Sequence, residues 1–300
     1  MMNKRDYIPR SFYIEKAWTR LLSSLGPLHG AVQTCENRAC LHRRVLWPLW
    51  LRKDAGIRLQ GHWYCGPECF EHAAREAFHR LLPGGEEGRT KSHRIPIGLL
   101  LLSRGTINDA QLKEALILQR KKGSGRLGKF LQQIRAVTEQ DLTEGLAAQW
   151  GCPVYPLGRA RDFLQCASLL PLTLLETGHM LPVHYLRLQK TLYLAFVEGV
   201  DRSALYAVEQ MLRMRTIPCV VAESELTDAL DVLRRAAGAP STVFDSPAEP
   251  LEMARTTRSY AWQVGASDVW IARSGRFIWI RLQTSQEFKD ILFQSLGYVQ

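Results

Sequence analysis

The stretch PIGLLLLSRGTINDAQLKEALILQ, residues 96–119, is followed after the six-residue loop RKKGSG by RLGKFLQQIRAVTEQDLTEGLAAQ, residues 126–149. Both segments are 24 residues long, and similar residues recur at matching positions. A match at several spaced positions indicates a true internal repeat. The matching pairs are Gly98 and Gly128, Leu101 and Leu131, Ile107 and Val137, Leu112 and Leu142, Leu116 and Leu146, and Gln119 and Gln149.

Each copy of the repeat has the pattern of a helix–turn–helix unit. In copy one, an apolar segment over residues 99–102 leads into a turn, and Asn108 or Asp109 then offers an N-cap for a helix. In copy two, Thr138 and Asp141 have the three-residue spacing of a capping box. The repeat therefore predicts two helical hairpins in tandem.

The repeated positions combine residues typical of a core with residues that can serve a ligand. The spacing of the leucines is explained by core packing alone. A glycine near the start of each copy would let the backbone approach a flat ligand or a neighbouring helix closely. Gln119 and Gln149 end amphipathic helices at the same repeat position, which packing does not explain.

The two copies resemble the tandem motif of the MshEN-type domain, which binds cyclic di-GMP in the N-terminal region of type II secretion and type IV pilus assembly ATPases. The resemblance implies that each copy binds one part of the dinucleotide. The arginine and the glycine backbone would meet the guanine or the phosphates, the leucines would pack on the bases, and the glutamine would form hydrogen bonds. The implied ligand residues are Arg126, Leu127, Gly128, Leu131, Leu142, Leu146 and Gln149 in copy two, with Ile97, Gly98, Leu101, Leu112, Leu116 and Gln119 in copy one.

The chain departs from the family motif at two positions. Copy one has Pro96 where the family has arginine, and copy two has Arg135 where the family has glycine. Proline offers neither a charge nor a donor, and a charged hydrogen bond contributes ~1.5–3 kcal/mol. The resemblance therefore implies weaker binding by copy one.

The resemblance extends over residues 95–238, about half of the chain. After the tandem motif of residues 95–150, residues 151–238 show a strand–strand–helix–strand–helix pattern that is similar to the family's second, α/β subdomain. The sequence contains no GxxxxGK[ST] motif, and neither a Ser/His/Asp nor an HExxH pattern is visible. We therefore expect no catalytic activity.

Four cysteines in the N-terminal third form two pairs. Cys35 and Cys40 are separated by 24 residues from Cys65 and Cys69, and the second pair opens a helix with an apolar face. Two such knuckles suit tetrahedral binding of zinc by thiolates, as in treble-clef modules. Two disulfides or four structural thiols are the alternatives, and His42 and His62 could replace a cysteine ligand.

Composition and charge limit the remaining possibilities. The chain has 46% hydrophobic residues and a net charge of +10, of which residues 1–94 contribute +7, from 16 Lys and Arg against 9 Asp and Glu. A basic zinc module is compatible with nucleic-acid binding, although no arginine-dense recognition helix is visible. The charged first ten residues and the lack of an apolar run of ~20 residues predict a cytoplasmic location and no transmembrane segment.

The C-terminal fifth of the chain predicts a linker and a small unit. Residues 239–253 are rich in Pro, Ala and Ser and are typical of a linker. In residues 254–300 we expect strands at 262–264, 269–272 and 277–282, a hairpin turn at 273–276, and a helix over 288–296. The linker predicts that this unit is independent of the rest.

The predicted fold class is α+β multidomain: a zinc module over residues 1–94, the helical tandem repeat with its α/β subdomain over 95–238, and a small α+β unit at the C-terminus. The first functional hypothesis is a bacterial, non-catalytic signalling or adaptor protein that binds cyclic di-GMP and a protein partner in a type II secretion or type IV pilus system. The alternatives are a docking scaffold that has lost the ligand and a zinc-dependent nucleic-acid binder.

Overall fold

The structure is a computed structural model of the 300-residue chain, and it describes residues 32–40, 47–48, 56–82, 94–158, 163–236, 241–245 and 248–295. Its mixture of helices and sheets confirms the predicted α+β class. Among the described residues, every helix is too short or too polar to cross a lipid bilayer.

The tandem repeat forms two helical hairpins, as predicted. The segment at residues 99–102, expected only as a short apolar stretch, belongs to a helix. Asn108 and Thr138 are the N-caps, and each completes a reciprocal capping box with the residue three positions later. The four helices are α2 (Ile97–Ser103), α3 (Asp109–Lys122), α4 (Leu127–Gln133) and α5 (Glu139–Trp150).

The α/β subdomain follows the predicted order, with a short helical segment added before it. Strands β5 (Met180–Leu186) and β6 (Thr191–Phe196) are antiparallel, and β7 (Arg215–Val220) lies parallel to β6. Pro171 is the N-cap of a second short helix, which begins at the next residue and also precedes β5. The helices are α6 (Phe163–Ala167), α7 (Leu172–Thr177), α8 (Arg202–Leu212) and α9 (Glu223–Arg235).

The four-cysteine segment and the C-terminal unit share one six-stranded sheet, which corrects the predicted separation of residues 1–94 from residues 254–300. The strands are β3 (Ile57–Leu59), β4 (His62–Tyr64), β8 (Ser241–Phe244), β9 (Asp268–Ser274), β10 (Phe277–Gln283) and β11 (Phe288–Gln294). The strand order is β4-β3-β9-β10-β11-β8, and β3 pairs in parallel with β9. A separate pair joins β1 (Val32–Gln33) to β2 (Trp47–Pro48).

The predicted linker over residues 239–253 is wrong where the structure describes it. It contains strand β8, which pairs in parallel with β11, and the start of helix α10 (Pro250–Gln263). Proline is tolerated in the first turn of a helix. Pro250 is therefore the start of α10 and not part of a linker. The strand expected at residues 262–264 lies at the end of α10, whereas β9, β10 and the turn between them agree with the prediction.

Strand β11 replaces the helix that we predicted over residues 288–296. Its central residues are buried on both faces, so they lack the alternation of a half-exposed strand. Ile291 and Phe293 face the core that holds α10 and α1 (Pro67–Leu81). Leu292, between them, belongs to the core of the α/β subdomain. The sheet is therefore covered by helices on one face and by the α/β subdomain on the other.

A buried ion pair lies in the contact between the six-stranded sheet and the α/β subdomain. Arg281 makes a two-pronged pair with Asp290, with N–O distances of 2.8 and 2.6 Å, and both side chains are under 5% exposed. Arg281 also donates to the carbonyl of Leu169 in the α/β subdomain at 2.7 Å, and Trp279 donates to Asp290 at 2.9 Å. The network thereby satisfies charges that would otherwise be buried at high cost.

Asp290→Ala should destabilise the protein by ~3–5 kcal/mol, because it leaves the Arg281 guanidinium buried without a counter-charge. Asp228→Ala, at an exposed position on α9, is the matched control and should change stability by less than ~0.5 kcal/mol. Chemical denaturation measures both. Equal losses from the two variants would contradict the assigned role of the pair.

Candidate functional site

A cavity of about 340 Å³ lies between the tandem repeat and the α/β subdomain. Its walls come mainly from copy two, together with parts of copy one and the loops that follow strands β6 and β7. The structure brings eight of the predicted ligand residues into its lining: Ile97, Gln119, Arg126, Leu127, Gly128, Leu142, Leu146 and Gln149.

The other predicted ligand residues lie outside this lining. Leu101 and Leu131 are at most 1% exposed and form the core between the hairpins. A Cβ on Gly98 would lie 2.8 Å from side-chain atoms of both Leu112 and Leu127, so this glycine permits close packing of leucines. Leu116 is half-buried. Core packing therefore accounts for the other positions outside the lining.

The two repeated glutamines make equivalent contacts. The Gln119 amide donates to the carbonyl of Gly125 at 2.8 Å, and the Gln149 amide donates to the carbonyl of Ile95 at 2.7 Å. Each acceptor immediately precedes the first residue of the other copy. Each glutamine thus closes its own copy against the start of the other, which gives the pair a structural role at the edge of the cavity.

Arg126 forms an ion pair with Glu198, in the loop after β6. The arginine side chain is 61% exposed and the glutamate 28%, so water screens the pair and it stabilises the fold only weakly. Both residues line the cavity. An anionic ligand could therefore compete with Glu198 for Arg126 at little cost in stability.

Two further polar contacts join the repeat to the α/β subdomain at this cavity. Glu139 accepts hydrogen bonds from the backbone and the hydroxyl of Ser224, at 2.8 and 2.7 Å. The Nζ atom of Lys129 lies 3.0 Å from a carboxylate oxygen of Glu223. Sequence reasoning missed these glutamates as lining residues, because their partners are about 85 to 94 positions away and no local pattern marks them.

The four N-terminal cysteines form a second site. Their sulfur atoms all lie within 4.8 Å of one another, with 3.5 Å between Cys40 and Cys65 and 3.8 Å between Cys65 and Cys69. A tetrahedron with Zn–S bonds of ~2.3 Å places its sulfurs ~3.8 Å apart. All seven cysteines of the chain lie in the described residues, and none forms a disulfide. The cluster can therefore hold a metal ion.

The environment of the cluster acts on the acidity of two of its thiols. The start of α1 lies at Cys65 and Cys69, and a helix N-terminus favours thiolates. Burial opposes this, because it raises the pKa of the Cys65 thiol and raises the pKa of Cys69 to about 11. Metal binding to these thiols would therefore release protons. His62 is exposed outside the cluster, and His42 lies outside the described residues.

Three comparisons with known proteins bear on these sites. The solved structure of MshE with cdg is 29% identical to this chain, and the alignment covers 46% of this chain and 99% of that one at a TM-score of 0.41. Two crystal forms of the N-terminal domain of XpsE are 23% and 26% identical, cover 49% of this chain and 97% and 98% of theirs, and give TM-scores of 0.35 and 0.29.

No family model matches the chain, and no curated protein matches it. Because the TM-scores lie below 0.5, the assignment of a ligand rests on the residues of the cavity and of the repeat.

The two copies differ in backbone strain at one equivalent position. Gly105 and Arg135 occupy the same turn, with φ of 72° and 57°. The left-handed region costs ~1–2 kcal/mol for a residue with a side chain. Among the described residues, no atom lies within 4 Å of a Cβ placed on Gly105, so an alanine there would meet conformational strain alone.

Arg135→Gly should therefore stabilise the protein, by up to ~1 kcal/mol after the greater freedom of glycine in the unfolded chain is counted. Gly105→Ala, the reciprocal change, should destabilise it by ~1 kcal/mol. Denaturation midpoints of the two variants test this. A shift in the same direction for both would refute the equivalence of the two turns.

Proposed function

We propose that this chain binds cyclic di-GMP in the cavity between the tandem repeat and the α/β subdomain. The observation that carries the proposal is the convergence of Arg126, Gly128 and Gln149 with Leu142 and Leu146 in one cavity. These are the positions at which the repeat resembles the ligand motif of the MshEN-type domain. The cavity volume of about 340 Å³ lies at the small end of ligand sites, which suits one half of the dinucleotide.

The chemistry of the lining suits a guanine nucleotide. Half-buried leucines offer flat apolar surface to a base, and a carboxylate such as Glu198 can accept hydrogen bonds from the donor edge of guanine. Arg126 offers a charge to a phosphate. Binding would exchange the Arg126–Glu198 pair for an arginine–phosphate contact and would free the carboxylate for the base.

We further propose that the chain acts without catalysis, as a cyclic di-GMP-responsive signalling or adaptor protein in the cytoplasm. The resemblance of its repeats to those of secretion and pilus assembly ATPases supports an association with such a machine. The alternative, a docking scaffold that no longer binds the nucleotide, is favoured by Pro96, which lies where the motif of copy one requires arginine. Titration with cyclic di-GMP distinguishes the nucleotide-binding protein from the docking scaffold.

Arg126→Ala should weaken cyclic di-GMP binding by ~1.5–3 kcal/mol, about ten- to a hundredfold, because a charged hydrogen bond is lost. Pro96→Arg should strengthen binding, because it restores a charge and donors to copy one. Calorimetric titration measures both, and Arg104→Ala, at an exposed position of copy one outside the cavity, is the matched control. Absence of binding heat in both the wild type and Pro96→Arg would establish the scaffold alternative instead.

We also propose that Cys35, Cys40, Cys65 and Cys69 bind a structural zinc ion. The sulfur distances and the absence of disulfides at these residues support it. The ion would tie the turn at residues 35–40 to the hairpin β3–β4 and to the start of α1. Since β3 pairs with β9, zinc would also support the edge of the six-stranded sheet.

Purified protein should contain about one zinc per chain, and Cys65→Ser should lose it, since binding energy is folding energy at such a site. Cys152→Ser, outside the cluster, should retain the metal. Removal of zinc by a chelator should raise hydrogen exchange in β9 but not in β5 and β6. Elemental analysis that finds no metal in freshly purified, reduced protein would reject the proposal.

A further inference from the structure

A second cavity, of about 630 Å³, adjoins the first. It lies between the turn that precedes β5, the loop from β6 to α8, and the β9–β10 turn of the C-terminal sheet. Arg126 and Glu198 line both cavities. Their ion pair therefore stands between two chambers, and an anion that displaces Glu198 would bring the chambers into contact.

The charged side chains of the second cavity differ in whether they have hydrogen-bond or ion-pair partners. The Asp201 carboxylate caps α8, accepting from the backbone N–H groups of Ser203 at 2.8 Å and Ala204 at 3.2 Å. Glu198 is held by Arg126. Within the described part of the chain, the Arg276 guanidinium makes no ion pair or hydrogen bond and lies 5.1 Å from the ring of Phe277. Arg276 is exposed and thus presents to this cavity a positive charge that no described side chain pairs with directly.

Trp150 supplies a second group without a partner. Its indole nitrogen is buried and makes no hydrogen bond within the described residues. The ring lines the cavity and is held between the Arg94 guanidinium, 3.4 Å from the ring centroid, and the backbone of Gly199. A Cβ on Gly199 would lie 2.6 Å from the indole, so glycine is required there. A buried donor of this kind is unfavourable until an acceptor meets it.

We infer that Arg276 and the indole N–H of Trp150 bind the second phosphate of the dinucleotide. The inference rests on the proposed function, since it concerns the same ligand. Cyclic di-GMP carries two phosphodiesters, and copy one lacks the arginine that would meet one of them. Arg276 supplies that charge from a different part of the chain, across the Arg126–Glu198 pair. The ligand would then bridge the tandem repeat, the α/β subdomain and the C-terminal sheet.

The experiment is a calorimetric titration of the full-length, metal-containing protein with cyclic di-GMP. Arg276→Ala should weaken binding about tenfold or more, and Arg276→Lys by less, because lysine keeps the charge without the two-pronged geometry. Trp150→Phe removes the donor together with part of the indole ring. It should weaken binding severalfold, and thermal denaturation of the ligand-free protein measures separately the packing that the smaller ring loses against Gly199.

Arg235→Ala is the matched control, because Arg235 is exposed in the last turn of α9 and lines neither cavity. Its affinity should stay within about twofold of the wild type. If Arg276→Ala and Trp150→Phe also stay within that range while the wild type binds, this inference fails and the proposed function stands. If the wild type itself shows no binding, the proposed function fails and this inference with it.

Discussion

The six-stranded sheet must be buried on both faces, and the rest of the structure depends on that requirement. Its strands come from residues 57–64 and 241–294, so neither part of the chain can form it alone. Helices α1 and α10 cover one face with aliphatic and aromatic side chains. The α/β subdomain covers the other face, where the Arg281–Asp290 pair must find every hydrogen-bond partner because it is shielded from water. The sheet therefore fixes the position of the α/β subdomain, whose loops after β6 and β7 form one wall of the candidate cavity.

Local sequence signals predicted the parts of this structure that local contacts stabilise. The caps at Asn108 and Thr138 and the apolar face of α1 depend on residues a few positions apart, and all appear as expected. The cysteine cluster could also be predicted from the sequence, because the spacing of the cysteines reflects one compact turn and the start of one helix. Strand β11 was not, because burial on both faces removes the alternation by which a strand is recognised. The pairing of β3 with β9 joins residues more than 200 positions apart, and no periodicity encodes it.

The same distinction holds within the candidate site. The repeat indicated Gly128 and Gln149 because the copies can be compared with each other, whereas Arg126, which has Pro96 at the equivalent position, was indicated by the resemblance to the MshEN-type motif. The repeat could not indicate Glu198, since a partner from another subdomain has no counterpart in the repeat. Leu101 and Leu131 also recur, and both lie in the core between the hairpins, outside the lining of the cavity. A repeated position marks a shared environment, and two hairpins that pack against each other share their core as well as their ligand surface.

The copies are symmetric in backbone contacts and asymmetric in charge. Gln119 and Gln149 hold equivalent carbonyls, so the two hairpins keep the same mutual geometry. By contrast, the position equivalent to Arg126 in copy one is occupied by Pro96. The two cavities that share Arg126 also differ in their linings, because only the second includes the β9–β10 turn. A ligand with two equivalent halves would therefore meet two unlike surfaces. One of these surfaces includes the β9–β10 turn. Contacts with the six-stranded sheet, which also contains strands of the cysteine module, would therefore contribute part of the binding free energy. Occupancy of the cavity and rigidity of that sheet would then be thermodynamically linked, and ligand and metal would each favour the state that the other requires.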